Sequence, residues 1–328
     1  MKIPLSLSVY EHAARIIHRS PWEVSRDPDL LFAAQHETYL LYRHAPVVVG
    51  TDIYNLEAEA YGCTVSRPGG NAVPSISGPI FRTIDEALGI KPLDSLRGGR
   101  LAMVLTVARK LKAAHPEADV RLPVSGPFSV AQGLLGLEEL VIAALADPEK
   151  TTEFLHQLAI GQLRFVEAIE AAGVGIAFFE SAAAPPLLSP DLFRDVVLLP
   201  LRSVMTGAAI ILGHPIPCII GGDTLSLIPH MLETGTDFLI CPAETDRVAF
   251  LKAMEARPDV KVRVNLSPSV YTQGSRAQIA AEVDAVVALA AGRPNVLLGT
   301  GCIPYETDPD SILFLRECAA GCDRFRQE

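Results

Sequence analysis

The chain has 328 residues, of which 49% are apolar, and its formal net charge is −10. Its basic residues are scattered along the sequence, which argues against nucleic acid and anionic membranes as partners. The N-terminus has no apolar run of signal-peptide length, and the most apolar stretch, residues 196–212, is interrupted by Pro200, Arg202 and Gly207. We therefore expect a cytoplasmic protein whose six cysteines are reduced thiols.

Two helical patterns come first along the chain, near residues 8–19 and 27–43, and seven short apolar runs follow. The runs do not alternate between apolar and polar residues, which is typical of parallel strands covered by helices on both faces. They occupy residues 46–51, 120–125, 175–180, 217–221, 237–241, 260–266 and 295–300.

Amphipathic helical segments separate these runs, so the sequence predicts an α/β fold, a (β/α)8 TIM barrel with one strand unread. We treat residues 1–328 as one domain, with a helical extension over residues 1–44. An open doubly wound sheet is the alternative. It is disfavoured because no Gly-x-Gly-x-x-Gly sequence follows the first predicted strand.

Five predicted helices share the same start signal, Asp or Ser followed by Pro, with an acidic residue within the next two positions. This pattern combines an N-cap, a proline at the first helical position and a negative charge facing the helix dipole. The five starts are Ser20-Pro21, Asp27-Pro28, Asp147-Pro148, Ser189-Pro190 and Asp308-Pro309.

In a barrel of this kind the chemistry lies at the carboxyl ends of the strands. Carboxylates and two thiols collect at these predicted ends. The residues are Asp52, Tyr54, Asn55, Glu57, Glu59, Ser125, Glu180, Asp223, Cys241, Glu244, Asn265 and Cys302.

Several of these residues also have ordinary structural interpretations. A cysteine that ends an apolar strand, such as Cys241, is most often a small buried hydrophobic residue. Glu180 follows two phenylalanines and needs a cation, a hydrogen-bond network or a metal to offset its burial. His214 lies at the start of a strand, and we interpret it as structural.

Four stretches resemble the uroporphyrinogen decarboxylase superfamily, which includes cobalamin-dependent methyltransferases. They are "SGPFSVAQGLLGLEELVIAALADPEKTTEFL", "AGVGIAFFESAAAPPLLSPDLFRDVVLLPL", "GGDTLSLIPHMLETGTDFLI" and "GTGCIPYETDPDSI". The last resembles the methyltransferase segment Gly-Cys-x-Ile-Pro-x-x-Thr-Pro, one residue shorter. The N-terminus lacks the Arg-rich signature of the true decarboxylases, so the resemblance favours the methyltransferase branch.

The resemblance implies a zinc site made by a His-x-Cys on one strand and a cysteine on a later one. Cys302 matches the later cysteine, whereas Ile219 and Gly221 stand where the His-x-Cys would be. As a replacement, we predict that Cys302, Cys241 and Glu180 hold Zn²⁺, because they end different strands and suit this metal.

The resulting hypothesis is a methyltransferase component that moves a methyl group from a small methylated substrate, an aryl methyl ether, to Co(I). The chain lacks an Asp-x-His-x-x-Gly cobalamin motif, so the cobalamin would be carried by a separate corrinoid protein. A homodimer is a candidate assembly. The alternatives are a metal-free decarboxylase-like lyase that uses Asp52 or Asp223, and a non-catalytic ligand-binding barrel.

We assign the remaining rim residues by chemistry. The candidate catalytic carboxylates are Asp52, Glu57 and Asp223. The candidate substrate-binding residues are Tyr54, Asn55, Ser125, Phe179, Asn265 and Tyr305.

Overall fold

The computed structural model describes residues 2–93 and 99–321. Its strands are β1 Leu5–Ser8, β2 Val47–Val48, β3 Val65–Ser66, β4 Ser75–Ile76, β5 Val120–Ser125, β6 Gly175–Phe179, β7 Phe238–Cys241, β8 Lys261–Leu266 and β9 Val296–Cys302.

The α-helices are α1 His12–Ile16, α2 Pro21–Arg26, α3 Pro28–Tyr42, α4 Leu56–Ala60, α5 Ile84–Ala87, α6 Gly99–Ala114, α7 Pro127–Leu135, α8 Leu137–Ala146, α9 Pro148–Glu170, α10 Pro190–Leu192, α11 Leu198–Leu212, α12 Ile228–Glu233, α13 Arg247–Ala253, α14 Pro268–Gln273, α15 Arg276–Leu289 and α16 Pro309–Ala319. A π-helical turn, Phe193–Val197, joins α10 to α11, and a 3₁₀ turn, Leu225–Leu227, precedes α12.

Parallel strands form the barrel. One sheet has the order β1-β9-β8-β7 and the other the order β2-β5-β6. Between them, Ile219 bridges Phe179 of β6 and Cys218 bridges Leu239 of β7, so this segment supplies the eighth strand position. The short β3 and β4 pair antiparallel to each other outside this ring. The predicted (β/α)8 barrel is confirmed.

The strand that sequence analysis left unread is β1. It lies within the predicted helical extension and pairs with β9, with Leu5 opposite Leu298 and Ser6 opposite Gly299. Its sequence, LSLS, alternates between apolar and polar residues. In the structure, Leu7 packs into the outer core and Ser6 lines the barrel interior. A search for continuous apolar runs therefore passes over it.

All five predicted helix starts are confirmed. Ser20 forms a capping box with Glu23: its hydroxyl accepts from the Glu23 N–H at 3.3 Å, and the Glu23 carboxylate accepts from the Ser20 N–H at 3.0 Å. Each of these contacts satisfies a backbone N–H that the helix itself leaves without a partner. Asp27, Asp147, Ser189 and Asp308 cap α3, α9, α10 and α16 through their side chains.

Strand alternation divides the apolar residues between two cores. Outward residues such as Phe178 and Leu239 pack against the helices in the large outer core. Inward residues form a small cluster inside the barrel, made of Tyr10, Val48, Ile53, Ala177 and Phe179, with Ile219 and Cys302 against it. Whether a polar residue on a strand can reach a ligand inside the barrel depends on this alternation.

The segment Pro190–Leu212 is long and apolar enough to cross a membrane, but 44% of its most apolar window is buried inside the protein. It packs along α9. A core helix passes the same test of length and composition, so this segment gives no membrane assignment.

Candidate active site

A cavity of about 690 Å³ extends into the barrel from the end at which the strands begin. Its deep lining includes Tyr10, Phe179, Ile219 and Arg263. Its exposed lining residues, Asp119 and His214 among them, lie where strands begin. The cavity therefore meets solvent at the amino ends of the strands, whereas sequence analysis placed the chemistry at the carboxyl ends.

The deep end of the cavity adjoins a cluster of hydroxyl and thiol groups. The Tyr54 and Cys302 side chains interact electrostatically. Burial, followed by the nearby charge of Glu11, raises the pKa of the Cys302 thiol to about 12. Cys302 is therefore a neutral thiol at neutral pH, since its pKa is far above 7.

Aromatic rings hold this cluster in place. Phe179 lies edge-on to Tyr10, with ring centroids 6.1 Å apart, and to Tyr54, at 5.7 Å. Edge-to-face pairs at this separation are favourable contacts. Of the predicted site residues, Tyr54, Phe179 and Cys302 are therefore brought together.

Glu11 is a carboxyl at this end of the barrel that sequence analysis missed. It follows β1, and burial raises its pKa to about 7. Its charge also contributes to raising the pKa values of Cys302 and Tyr271. Recognising the alternating LSLS segment as a strand would have placed Tyr10 and Glu11 at a strand's carboxyl end.

Asn265 and Arg263 both lie on β8 and share its inward face. A Cβ atom on Gly299 of β9 would meet the Cγ and Cδ atoms of Arg263 at 2.5 Å and the Asn265 Oδ1 at 2.8 Å. The missing side chain at position 299 therefore gives both residues their space. Asn265, a predicted substrate-binding residue, therefore lies beside Arg263, which was not among the predicted site residues.

Glu180 occupies a different place from the predicted zinc site. Its carboxylate is fully buried and accepts from the N–H groups of Phe128 and Ser129, at 3.1 and 2.7 Å, and from the Ser129 hydroxyl at 2.6 Å. It thus caps the N-terminus of α7, where a negative charge is favoured. The hydrogen-bond network is the arrangement that offsets its burial.

Cys241 points away from the barrel interior. It belongs to the outer core together with Leu239, while Phe238 lines the cavity. Burial raises its pKa to about 12. This is the ordinary interpretation of a strand-ending cysteine, a small buried hydrophobic residue.

The three predicted zinc ligands therefore lie in three separate environments. Among residues 2–93 and 99–321, no three His, Cys, Asp or Glu side chains are grouped so that they could hold a metal ion. Ile219, where the resemblance would place a histidine, contributes an apolar side chain to the interior cluster. The donor set does not fit zinc, because Glu180 is occupied by hydrogen bonds and Cys241 faces the helices.

Asp52 is buried in an ion pair with Arg100 and accepts a hydrogen bond from Asn55 Nδ2 at 3.1 Å. Asn55 Nδ2 also donates to the Pro74 carbonyl at 2.7 Å. Arg100 in turn bonds Glu59 at 2.8 Å. Asp52 and Asn55 thus join the segment after β2 to α6 and to Pro74, the residue before β4, and neither lines the cavity.

Glu57 and Ser125 bind each other. The fully buried Glu57 carboxylate accepts from the Ser125 N–H at 2.7 Å and from its hydroxyl at 3.1 Å. Burial raises the Glu57 pKa to about 7, and the Ser125 contacts oppose this rise. The pair ties α4 to the end of β5.

Asp223 and Tyr305 also lie apart from the cavity lining. The exposed Asp223 carboxylate accepts from the Leu225 N–H at 3.3 Å, at the start of a 3₁₀ turn. Tyr305 is half-buried and packs against the outer core. The two carboxylates on which the lyase alternative depends, Asp52 and Asp223, are therefore not in the cavity.

Comparison with known proteins identifies the family. The model of the uroporphyrinogen decarboxylase (URO-D) family matches residues 2–321. A solved methyltransferase from Methanosarcina mazei has the same fold, with a TM-score of 0.84 and 19% identity over 97% of this chain and 93% of that one.

Curated relatives support the methyltransferase branch. The chain is 26% identical to the methylated-thiol–coenzyme M methyltransferase of Methanosarcina mazei over 188 residues, which are 56% of this chain and 48% of that protein. It is 24% identical to the methylcobamide:CoM methyltransferase MtaA of Methanosarcina barkeri over 152 residues, 45% of this chain and 44% of that protein. The matched part thus spans about half the length of these relatives.

The superfamily that the sequence motifs indicate is confirmed: this chain belongs to the uroporphyrinogen decarboxylase (URO-D) family.

Proposed function

We propose that the protein is a methyltransferase component that transfers a methyl group from an aryl methyl ether to Co(I) of a corrinoid held by a separate protein. The observation that carries the proposal is the Tyr54–Cys302 pair at the deep end of the barrel cavity, in a chain whose relatives are corrinoid and coenzyme M methyltransferases. We favour an ether over a thiol because Ile219 and Gly221 stand where the resemblance implies a thiol-activating His-x-Cys.

The reaction has a simple balance. The carbon–oxygen bond of the ether breaks as the methyl group passes to Co(I), and the leaving aryl oxide takes up one proton. Glu11 is suited to supply that proton, since its pKa of about 7 keeps a fraction of the carboxyl protonated at neutral pH. The neutral Cys302 thiol and the Tyr54 hydroxyl are suited to stabilise the developing negative charge on oxygen.

No step of this mechanism is routed through zinc, because the predicted ligands Cys302, Cys241 and Glu180 do not come together. Activation of the leaving oxygen is assigned instead to the protonated groups around Cys302. The corrinoid partner is proposed to dock at the carboxyl ends of the strands, where Tyr54 is 42% exposed.

A methyl-transfer assay with purified protein, Co(I) cobalamin and 3-methoxybenzoate tests the proposal. We expect the wild type to consume Co(I) and release 3-hydroxybenzoate, and Glu11→Gln to lower the rate by about 10²- to 10⁴-fold, the usual contribution of a general acid. The exposed Glu306 near the same rim provides the matched control, since Glu306→Gln leaves the proposed acid intact.

Three outcomes would overturn the proposal. A product that forms without corrinoid would favour the lyase alternative, and the absence of any product would favour the non-catalytic barrel. Loss of activity on treatment with a metal chelator, restored by zinc, would contradict the assignment of leaving-group activation to protein acids.

A further inference from the structure

Arg263 is a buried cation without an ionic partner in the described part of the chain. The residue is 6% exposed and forms none of the ion pairs within residues 2–93 and 99–321. Its Nη1 reaches only the Ser6 hydroxyl, at 3.5 Å, and its Nε has no hydrogen-bond partner among those residues. A guanidinium cannot shed its proton in a protein, so its burial is costly unless an anion approaches it.

Two more buried polar atoms near Arg263 lack partners among the described residues. They are the Asn265 Oδ1, which lies beside the Arg263 stem over Gly299, and the Tyr271 hydroxyl, which interacts electrostatically with Arg263. Buried polar groups in native proteins are nearly always hydrogen-bonded. Three unsatisfied groups in one neighbourhood, two donors and an acceptor, therefore indicate a polar ligand.

A ligand can reach Arg263 through the cavity. Arg263 lines the 690 Å³ cavity together with Ser6, Ser8 and Tyr10, and this volume is ample for a single-ring compound. Arg263 also interacts electrostatically with Tyr54 and Cys302. A small molecule that pairs with Arg263 therefore lies close to the proposed reacting groups.

The titratable groups around Arg263 leave its charge uncompensated. Tyr10, Tyr54, Tyr271 and Cys302 are the groups that act on it most strongly after burial, and the pKa of each is raised, so all four are neutral at pH 7. The other arginine of the cavity, Arg121 at the mouth, is already paired with Asp119 at 2.7 Å.

We propose that Arg263 binds the carboxylate or sulfonate group of the small-molecule substrate, inside the barrel. The shared chemistry is a planar or tetrahedral oxyanion that accepts two hydrogen bonds from the guanidinium. The aromatic and aliphatic side chains of Phe179, Val48 and Ile219 provide an apolar wall for a ring. Resting on the proposed function, this makes the methyl donor a methoxylated aromatic acid rather than a neutral ether.

Calorimetric titration of the purified protein, without corrinoid, tests this site. The probes are 3-methoxybenzoate, 3-methoxybenzenesulfonate and the neutral methyl ester of 3-methoxybenzoate. We expect the wild type to bind at least one acid, and Arg263→Met to weaken that binding by about 10- to 100-fold, the usual effect of a charge-assisted hydrogen bond. Arg263→Lys should keep part of the affinity, because it retains the charge but not the fork of donors.

Arg121→Met is the matched control. It removes a guanidinium from the same cavity, but one whose charge Asp119 already neutralises. Equal affinity of wild type and Arg263→Met for both acids would overturn the proposal, as would binding of the ester as tight as that of the acids. Preference for one acid over the other identifies the oxyanion. If an acid binds through Arg263 but no methyl transfer follows, the anion site stands and the proposed function fails.

Discussion

At the scale of single residues, strand alternation decides the role of each polar side chain. Glu180 and Cys241 follow or end apolar strands, as predicted, but both face outwards, towards helices. Arg263 and Asn265 face inwards, on a strand from which only Asn265 was a predicted site residue. Alternate residues of a strand point to opposite faces. A shift of one position along a strand therefore turns a side chain from the barrel interior towards the helices.

Glu57 and Glu180 give the protein a predictable pH dependence. Both are fully buried, and burial raises the pKa of each carboxyl from 4.5 to about 7. The folded protein thus holds protons that the unfolded chain has lost, so these groups stabilise it fully below about pH 4.5 and lose that contribution as the pH rises through about 7. We expect the free energy of unfolding to fall by up to about 3 kcal/mol per group between about pH 5 and about pH 8.

Urea unfolding across that pH range measures the effect. Glu57→Gln and Glu180→Gln should each reduce the slope, because the amide does not titrate. Glu138→Gln, at an exposed position in the first turn of α8, should leave the slope unchanged. Wild-type stability that rises over the same range, with the same slope in both buried variants, would contradict the assignment.

At the scale of elements, local sequence signals proved reliable and tertiary ones did not. Ser20, Asp27 and Asp308 each predict a helix start correctly, because an N-cap side chain bonds only the first turn of its own helix. The strand β1 is short, and its pairing depends on the distant β9, so periodicity alone does not reveal it.

The site divides in the same way. Tyr54, Phe179, Asn265 and Cys302 could be predicted from strand ends, while Glu11 and Arg263 could not. Glu11 follows β1, the strand that was not predicted. Arg263 lies in the middle of β8, and only the space above Gly299 shows that its long side chain fits inside the barrel.

The pairing of β8 with β9 provides an element-scale prediction. Gly299→Ala would place a Cβ 2.5 Å from the Arg263 stem, so the arginine must move. We expect a loss of about 1–3 kcal/mol in stability, typical of overpacking, together with weaker binding of 3-methoxybenzoate. Thermal unfolding and calorimetric titration measure the two effects.

Gly301→Ala is the matched control on the same strand, because its Cβ would lie 3.7 Å from the Pro268 Cγ, an ordinary contact. The control should keep both stability and binding. If Gly299→Ala binds the acid as wild type does, the packing of the Arg263 stem against β9 does not position its guanidinium.

At the scale of the whole molecule, the two ends of the barrel are assigned to different molecules, the small acid at one end and the corrinoid partner at the other. The cavity opens to solvent at the amino ends of the strands, beside His214 and Asp119. Tyr54 is exposed at the opposite rim, where the corrinoid partner is proposed to dock. A small acid could then enter from one end while the partner protein occupies the other.

The central claim is that the interior of the barrel, rather than a metal at its rim, holds the methyl donor. A crystal structure of the protein with 3-methoxybenzoate tests it most directly. We predict a ligand inside the cavity with its carboxylate within hydrogen-bond distance of the Arg263 guanidinium and its methoxy group beside Tyr54 and Cys302. A ligand bound outside the barrel interior, or one held by a metal ion on Cys302, would contradict the account.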